Sequence, residues 1–239
     1  VSVMAERDLY DITVCYVPKH FTWENYRVVW KHMGFPGTFF NSLWLSLTTG
    51  ILQVIACTLV GYGFARFDFP LKKFLFGMVI VMLVVPPQTI MVPLFLRFRF
   101  FDIFGIIKLF SGNTVNLIDT FWPFILTSGT GTGLRNGLYI YMMRQFFRGS
   151  PKELEESAYV DGAGPYKTFY YIMLPIAVPM MVTIFLFSFV WQWTDTFYTT
   201  LFLEKLTTLP TVLSSLAVSI NYQEFGPMAT MSPAYASML

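Results

Sequence analysis

From His32 to Ala65 the chain carries no Asp, Glu, Lys or Arg. No other feature limits its fold so tightly. The centre of this run, Phe39 to Phe64, exceeds the about 20 apolar residues that cross a bilayer. Phe74 to Leu96 and Thr168 to Thr194 are equally free of charged side chains. Only 13% of the 239 residues are charged, half the roughly 25% of an ordinary soluble domain. With a mean hydropathy of +0.56, too little polar surface remains to wrap a soluble globule of 27.5 kDa. Intrinsic disorder is excluded too, since it needs low hydrophobicity and high net charge. The expected fold is all-α, a polytopic transmembrane helix bundle.

Four spans are expected in sequence order. The first, Phe39 to Phe64, repeats small residues at Ser42, Ser46, Gly50, Gly61 and Gly63, which let membrane helices pack closely. The second, Phe74 to Leu96, is interrupted at Pro86-Pro87-Gln88 and Pro93. Proline there kinks the helix and frees carbonyls that need partners in protein or a wet cavity. The third reads as broken, with one helical part from Ile118 to Ser128 and another from Leu134 to Phe147, split around Gly129, Gly131 and Gly133. The fourth is Thr168 to Thr194, with Pro175 and Pro179 and a Trp191-Gln192-Trp193 end suited to a membrane surface. A fifth apolar stretch begins after Asn221 to Glu224. Residues 1–31 hold no long apolar run and read as an extramembrane segment.

Several chemistries are absent from the pattern. The net charge of +2 comes without a basic run, so no nucleic-acid partner is expected. His20 and His32 lack a cysteine or carboxylate cluster at metal-ligand spacing. Cys15 and Cys57 build no disulfide framework, and Cys57 reads as a small buried hydrophobe. The glycine cluster at 129–133 lacks the Lys-Ser/Thr ending of a phosphate loop. No catalytic residue, metal site or cofactor is expected.

Charge counting does not orient the chain. The turn after span one and the loop after span three hold Arg66, Lys72, Lys73, Arg144, Arg148, Lys152 and Lys167. The other side holds Arg7, Lys19, Arg27, Lys31, Arg97, Arg99, Lys108 and Lys205, and Arg135 is ambiguous. The positive-inside rule needs a larger difference.

The stretch from Arg144 to Leu174 is the most charge-dense between two spans. Ser150-Pro151-Lys152-Glu153 has the form of a capping box with proline at the first helical position. A short helix is expected from Pro151 to about Asp161, ended by Gly162 in the left-handed conformation. Leu154, Ser157, Ala158 and Asp161 would share one side. Glu153, Glu155 and Glu156 offer charge to a partner's Lys or Arg. Such a helix is either an ordinary interfacial helix or a part that passes a push from a soluble partner into the bundle.

Its wording resembles a known signature. Glu156-Ser157-Ala158, three residues, Gly162, nine residues and Ile172-Met173-Leu174-Pro175 match the E-A-A, G, I-x-L-P loop of binding-protein-dependent ABC importer permeases. Ser157 for the middle Ala is the one departure. Pro151 to Glu155, Asp161-Gly162-Ala163, Asn41-Ser42 and Arg144 to Phe147 are similar to the carbohydrate-uptake branch, and within it to the second permease subunit of maltose-type systems. The resemblance covers roughly Tyr16 to the C-terminus.

It implies the type I ABC importer permease fold and a place in the bacterial plasma or inner membrane. It implies residues 1–31 as an extracytoplasmic lead-in, 32–239 as the permease domain and 144–167 as a cytoplasmic coupling loop. Implied partners are a second permease subunit, cytoplasmic ATP-binding subunits that hydrolyse the ATP, and an extracytoplasmic binding protein that delivers a sugar or oligosaccharide. Glu153, Leu154, Glu156, Ser157, Ala158, Asp161 and Gly162 would couple to the ATPase, with Gly164, Pro165 and Pro175 as hinges. The family has six spans, so the chain reads as a fragment. A permease for a peptide or polyamine, or a membrane protein outside transport, are the alternatives.

Intramembrane polar groups are functional suspects. Gln88, Trp191, Gln192 and Asp195 are the candidates for the translocation path, since aromatic faces and amide hydrogen bonds suit sugar rings. Interfacial anchoring of Trp191, and satisfaction of proline-freed carbonyls by Gln88, are the competing readings.

Overall fold

The computed structural model describes residue 3 and residues 19–102, 114–133 and 135–215, apart from the side chain at 87. The expected fifth span, the Asn221 to Glu224 stretch, Cys15, Leu134 and Lys108 lie outside the described residues. Every regular element among the described residues is helical, and pairing is limited to one isolated bridge, Phe101 with Val115. The chain divides into two compact units, residues 1–44 with 193–239, and residues 45–192.

In chain order the helices are α1 (Glu24–Met33), α2 (Phe35–Arg66), α3 (Lys72–Val84), α4 (Met91–Arg99), α5 (Trp122–Gly129), α6 (Asn136–Gly149) and α7 (Glu153–Val160). They continue with α8 (Pro165–Trp193), which contains a π-helical stretch at Phe169–Met173, and α9 (Phe197–Phe202). Two are long and apolar enough to cross a membrane, α2 with 32 residues and α8 with 29. These are the first and fourth expected spans.

The second expected span is not a kinked helix. Lys72–Val84 and Gln88–Arg99 meet at a bend of 103°. A residue before proline is pushed out of the helical region, and here that happens twice in succession. Val85 sits at ψ 120 and Pro86 at ψ 136, both extended. A 3₁₀ turn, Pro87–Ile90, then restarts the helix. Thr89 bonds the Pro86 carbonyl with both its backbone N–H (3.1 Å) and its hydroxyl (2.7 Å).

The third expected span also divides, into α5 with 8 residues and α6 with 14. Neither is long enough alone to cross, at about 1.5 Å per residue. Gly131 and Arg135 take positive φ between them.

Within the unit of residues 45–192 the core joins α2, α3, α6 and α8 through Val54, Cys57, Tyr62, Val79, Ile140, Met143, Phe147, Met173 and Ile184. Glycine sets the closest approaches. A Cβ on Gly61 of α2 would lie 2.5 Å from the Met143 Cβ of α6, and one on Gly137 of α6 would lie 2.9 Å from the Val79 carbonyl of α3. Gly50 likewise admits the Phe185 ring of α8. Beside it the Ser188 hydroxyl donates to the Gln53 amide oxygen. Membrane helices are held by such close packing and polar contacts rather than by water exclusion.

In the unit of residues 1–44 and 193–239, Gly34 ends α1 at φ +55. The rings of Trp30 and Phe35 stack at 4.0 Å, and Phe39 meets Trp193 edge-on. Asn41 donates to the Thr207 carbonyl at 3.1 Å, and the Leu209 N–H donates to the Ser42 hydroxyl at 2.7 Å.

Candidate functional site

The signature segment folds as a short exposed helix, α7, between α6 and α8. It starts at Glu153 rather than Pro151, and the expected capping box is not formed. Lys152 occupies the N-cap without a side-chain bond. The Ser150 hydroxyl instead donates back to the Phe146 carbonyl at 3.1 Å, extending the end of α6. Its turn into extended backbone aims it away from the new helix. Three glutamates in the first turn still complement the helix dipole.

The C-terminal end follows expectation. Gly162 has φ +79. Its N–H bonds the Tyr159 carbonyl at 3.1 Å, and the Ala163 N–H bonds the Ala158 carbonyl at 2.9 Å. This pair of reversed bonds is the Schellman arrangement. No atom would contact a Cβ at Gly162 or Gly164, so Gly162 is required by its backbone rather than by crowding. Gly164 is extended, at ψ 167, and caps α8 ahead of Pro165. Pro175 lies two residues past the π-helical stretch, after Leu174. Proline has no N–H to give and its ring presses on the preceding turn, and the widened turn accommodates that.

The exposed face consists of Glu153, Leu154, Glu156, Ser157, Tyr159, Val160 and Asp161. Val160 is 88% exposed and Tyr166, just beyond the helix, 91%. Ala158 does not belong to this face. It is 5% exposed and shares the inward side with Glu155, at 6%. The i, i+3 pair that looks inward is therefore Glu155 and Ala158, not a pair within the expected stripe.

Glu155 is the residue that sequence reasoning placed on the wrong side. Its Oε2 lies 3.0 Å from Arg66 Nε, with both side chains nearly enclosed. The Nε–H points off that line, so the contact is an ion pair rather than an aligned hydrogen bond. Tyr62 donates its hydroxyl to Glu155 Oε1 at 2.9 Å. Arg66 Nη2 also donates to the Ser150 carbonyl at 2.9 Å. The Tyr62 ring lies between Phe147 at the end of α6 and Phe169 at the start of α8.

The four candidates for the translocation path occupy different places. Gln88 is exposed in the turn between α3 and α4, where Thr89 has taken up the Pro86 carbonyl. Trp191 is 46% exposed near the end of α8, with the Arg135 guanidinium 3.1 Å from its ring centroid. Gln192 beside it keeps a buried Nε2 with no hydrogen-bond partner. Asp195 serves α9, accepting the backbone N–H groups of Tyr198 at 3.4 Å and Thr199 at 3.0 Å. Burial and that carboxylate push the Tyr198 phenol up to about 12. Among the described residues no three His, Cys, Asp or Glu side chains gather as a metal site.

Comparison with known proteins agrees with the signature. The family model for the inner membrane component of binding-protein-dependent transport systems matches residues 38–238. A probable ABC transporter permease protein of Pyrococcus horikoshii is 32% identical over 190 residues, 79% of this chain and 63% of that one. The alpha-glucoside transport system permease protein AglG of Rhizobium meliloti is 31% identical, over 78% of this chain and 46% of its own. The trehalose transport system permease protein SugB of Mycobacterium tuberculosis is 30% identical, over 75% and 59%. The chain thus spans about half to two-thirds of the length of these relatives. A crystal structure of a bacterial ABC transporter that imports the acidic polysaccharide alginate shares the fold, with a TM-score of 0.76, 18% identity, and coverage of 99% of this chain and 80% of that one. That structure and the helical bundle place the architecture as the type I ABC importer permease fold. The chain belongs to the family of inner membrane components of binding-protein-dependent transport systems.

Proposed function

We propose that the chain is the transmembrane permease part of an ATP-driven importer for a sugar or oligosaccharide, delivered by an extracytoplasmic binding protein. ATP hydrolysis resides on separate cytoplasmic subunits, and a second permease subunit completes the path. Residues 144–167 are the coupling loop on the cytoplasmic side, residues 1–31 an extracytoplasmic lead-in, and 32–239 the permease domain. Gly164, Pro165 and Pro175 serve as hinges where the loop joins α8. Trp191 and Gln192 are the favoured contacts for solute, since they are adjacent near the end of α8, with Trp191 exposed and Gln192 partly so. Gln88 lines the break in the second span. Asp195 acts on the path through α9, whose first N–H groups its carboxylate accepts.

One observation carries this reading. The signature segment is an exposed short helix, closed by a glycine cap and held between two bundle helices, with an apolar and acidic face open to solvent. Two relatives, named for alpha-glucoside and trehalose transport, support a sugar as cargo. A photo-crosslinking residue placed at Val160 tests the docking. In the reconstituted complex it is expected to capture the ATP-binding subunit. Capture confined to lipid, with the complex intact, would contradict the assignment. Uptake assays with labelled sugars, peptides and polyamines then fix the solute class.

A further inference from the structure

We propose that Arg66, Glu155 and Tyr62 form a latch that makes α2 the carrier of the loop helix's motion, with Arg66 and Glu155 as positioning residues for coupling. The proposal rests on the importer reading given above. It adds a force path that the loop signature does not contain.

The covalent ends of α7 are poor carriers of a directed push. On one side the chain passes Gly149, and on the other Gly162 and Gly164. None of these would meet a neighbour even with a Cβ added. A displacement of α7 sent only through those ends finds no side-chain packing at the glycines to carry it. The inward face is different. Both carboxylate oxygens of Glu155 are occupied, one by Arg66 at 3.0 Å and one by Tyr62 at 2.9 Å. Arg66 and Tyr62 stand one turn apart at the end of α2. Arg66 grips the loop a second time at the Ser150 carbonyl. Tyr62 is 4% exposed and wedges between Phe147 and Phe169. α7 is therefore fixed to α2 at Glu155, and the chain just ahead of it at Ser150, both between Gly149 and Gly162. From Arg66 back to Leu45, α2 packs on α6 at Gly61 and on α8 at Gly50. A pull on Glu155 reaches the bundle along that helix.

A staple that only preserves the fold would use the same contacts, so the test separates the two. The assembled complex, with ATP-binding subunits, partner permease and binding protein, is compared in lipid nanodiscs and proteoliposomes as wild type and Glu155→Gln. Glutamine keeps the shape and a hydrogen-bond acceptor for Tyr62 but removes the charge. Amide exchange over 153–160 is expected to rise about tenfold as the helix opens locally. ATP hydrolysis continues, while solute carried per ATP falls about fivefold or more, the lower end of ordinary coupling losses. Arg66→Met with Glu155→Met leaves no stranded charge, and it is expected to assemble yet stay uncoupled. Should Glu155→Gln fail to assemble, Tyr62→Phe, lacking only the hydroxyl, is expected to show a smaller loss in the same ratio. Unchanged exchange and unchanged solute per ATP in an assembled variant overturn the latch. So does full coupling in the double methionine variant. If the wild-type complex moves no solute but Glu155→Gln still loosens α7, the importer reading has failed and the mechanical link stands.

Discussion

An added Cβ at Gly61 would stand 2.5 Å from the Met143 Cβ and 3.1 Å from the Arg144 nitrogen, whereas one at Gly63 meets nothing. Two residues on a helix are about 200° apart, so these neighbours face opposite ways. Gly61→Ala is expected to cost about 1–3 kcal/mol by overpacking. Gly63→Ala is expected to be neutral or slightly stabilising, since alanine is the better helix former. Unfolding of the purified chain in detergent, followed by denaturant titration, compares them, and equal losses would contradict the packing described. The recurrence of small residues was visible in the sequence, but not which of them touches a partner. Glu155 shows the same limit more sharply. Three glutamates crowd the start of α7, and nothing local says which turns inward. The deciding partner, Tyr62, is 93 residues away. Gly162 was legible because its constraint is local, a left-handed residue just past a helix end.

At the scale of elements, long charge-free runs predicted α2 and α8 well, because length and apolarity suffice to specify a spanning helix. The second run was apolar enough and still failed to form a single helix, whereas the third divides at the glycine cluster, where the sequence reading broke it. Two consecutive proline restrictions broke the second, and Gly131 and Arg135, both at positive φ, mark the break in the third. Hydropathy sees neither. Spin labels at exposed Phe74 and Leu96 measure the first break. Pro86→Ala with Pro87→Ala is expected to lengthen their separation toward the about 33 Å spanned by 22 helical residues. An unchanged distance would show that packing, not proline, imposes the 103° bend. The capping box failed for a related reason. Its letters were present, but Ser150 had already turned back to close α6. A side chain that can serve either of two adjoining helices is not assigned by spacing.

At the scale of the whole molecule, charge was silent on orientation, with seven basic residues on one side and eight on the other. The proposed docking of the signature loop on a cytoplasmic ATPase sets the expected direction. In a background lacking Cys15 and Cys57, a cysteine at Val160 is expected to react with impermeant maleimide only from the cytoplasm. A cysteine at Trp23, 74% exposed, is expected to react only from outside. Reversed labelling would invert the topology and remove the loop from its proposed motor. Transport coupling itself is tested most directly by counting solute accumulated per ATP hydrolysed in proteoliposomes holding the complete complex. Wild type is compared there with Gly162→Ile, which forces a β-branched residue to positive φ. The expected result is ATP-dependent accumulation in wild type, and in the variant continued hydrolysis with accumulation reduced about tenfold or more, a coupling loss within the ordinary range. Undiminished accumulation per ATP in the variant would contradict the claim that this loop couples hydrolysis to transport.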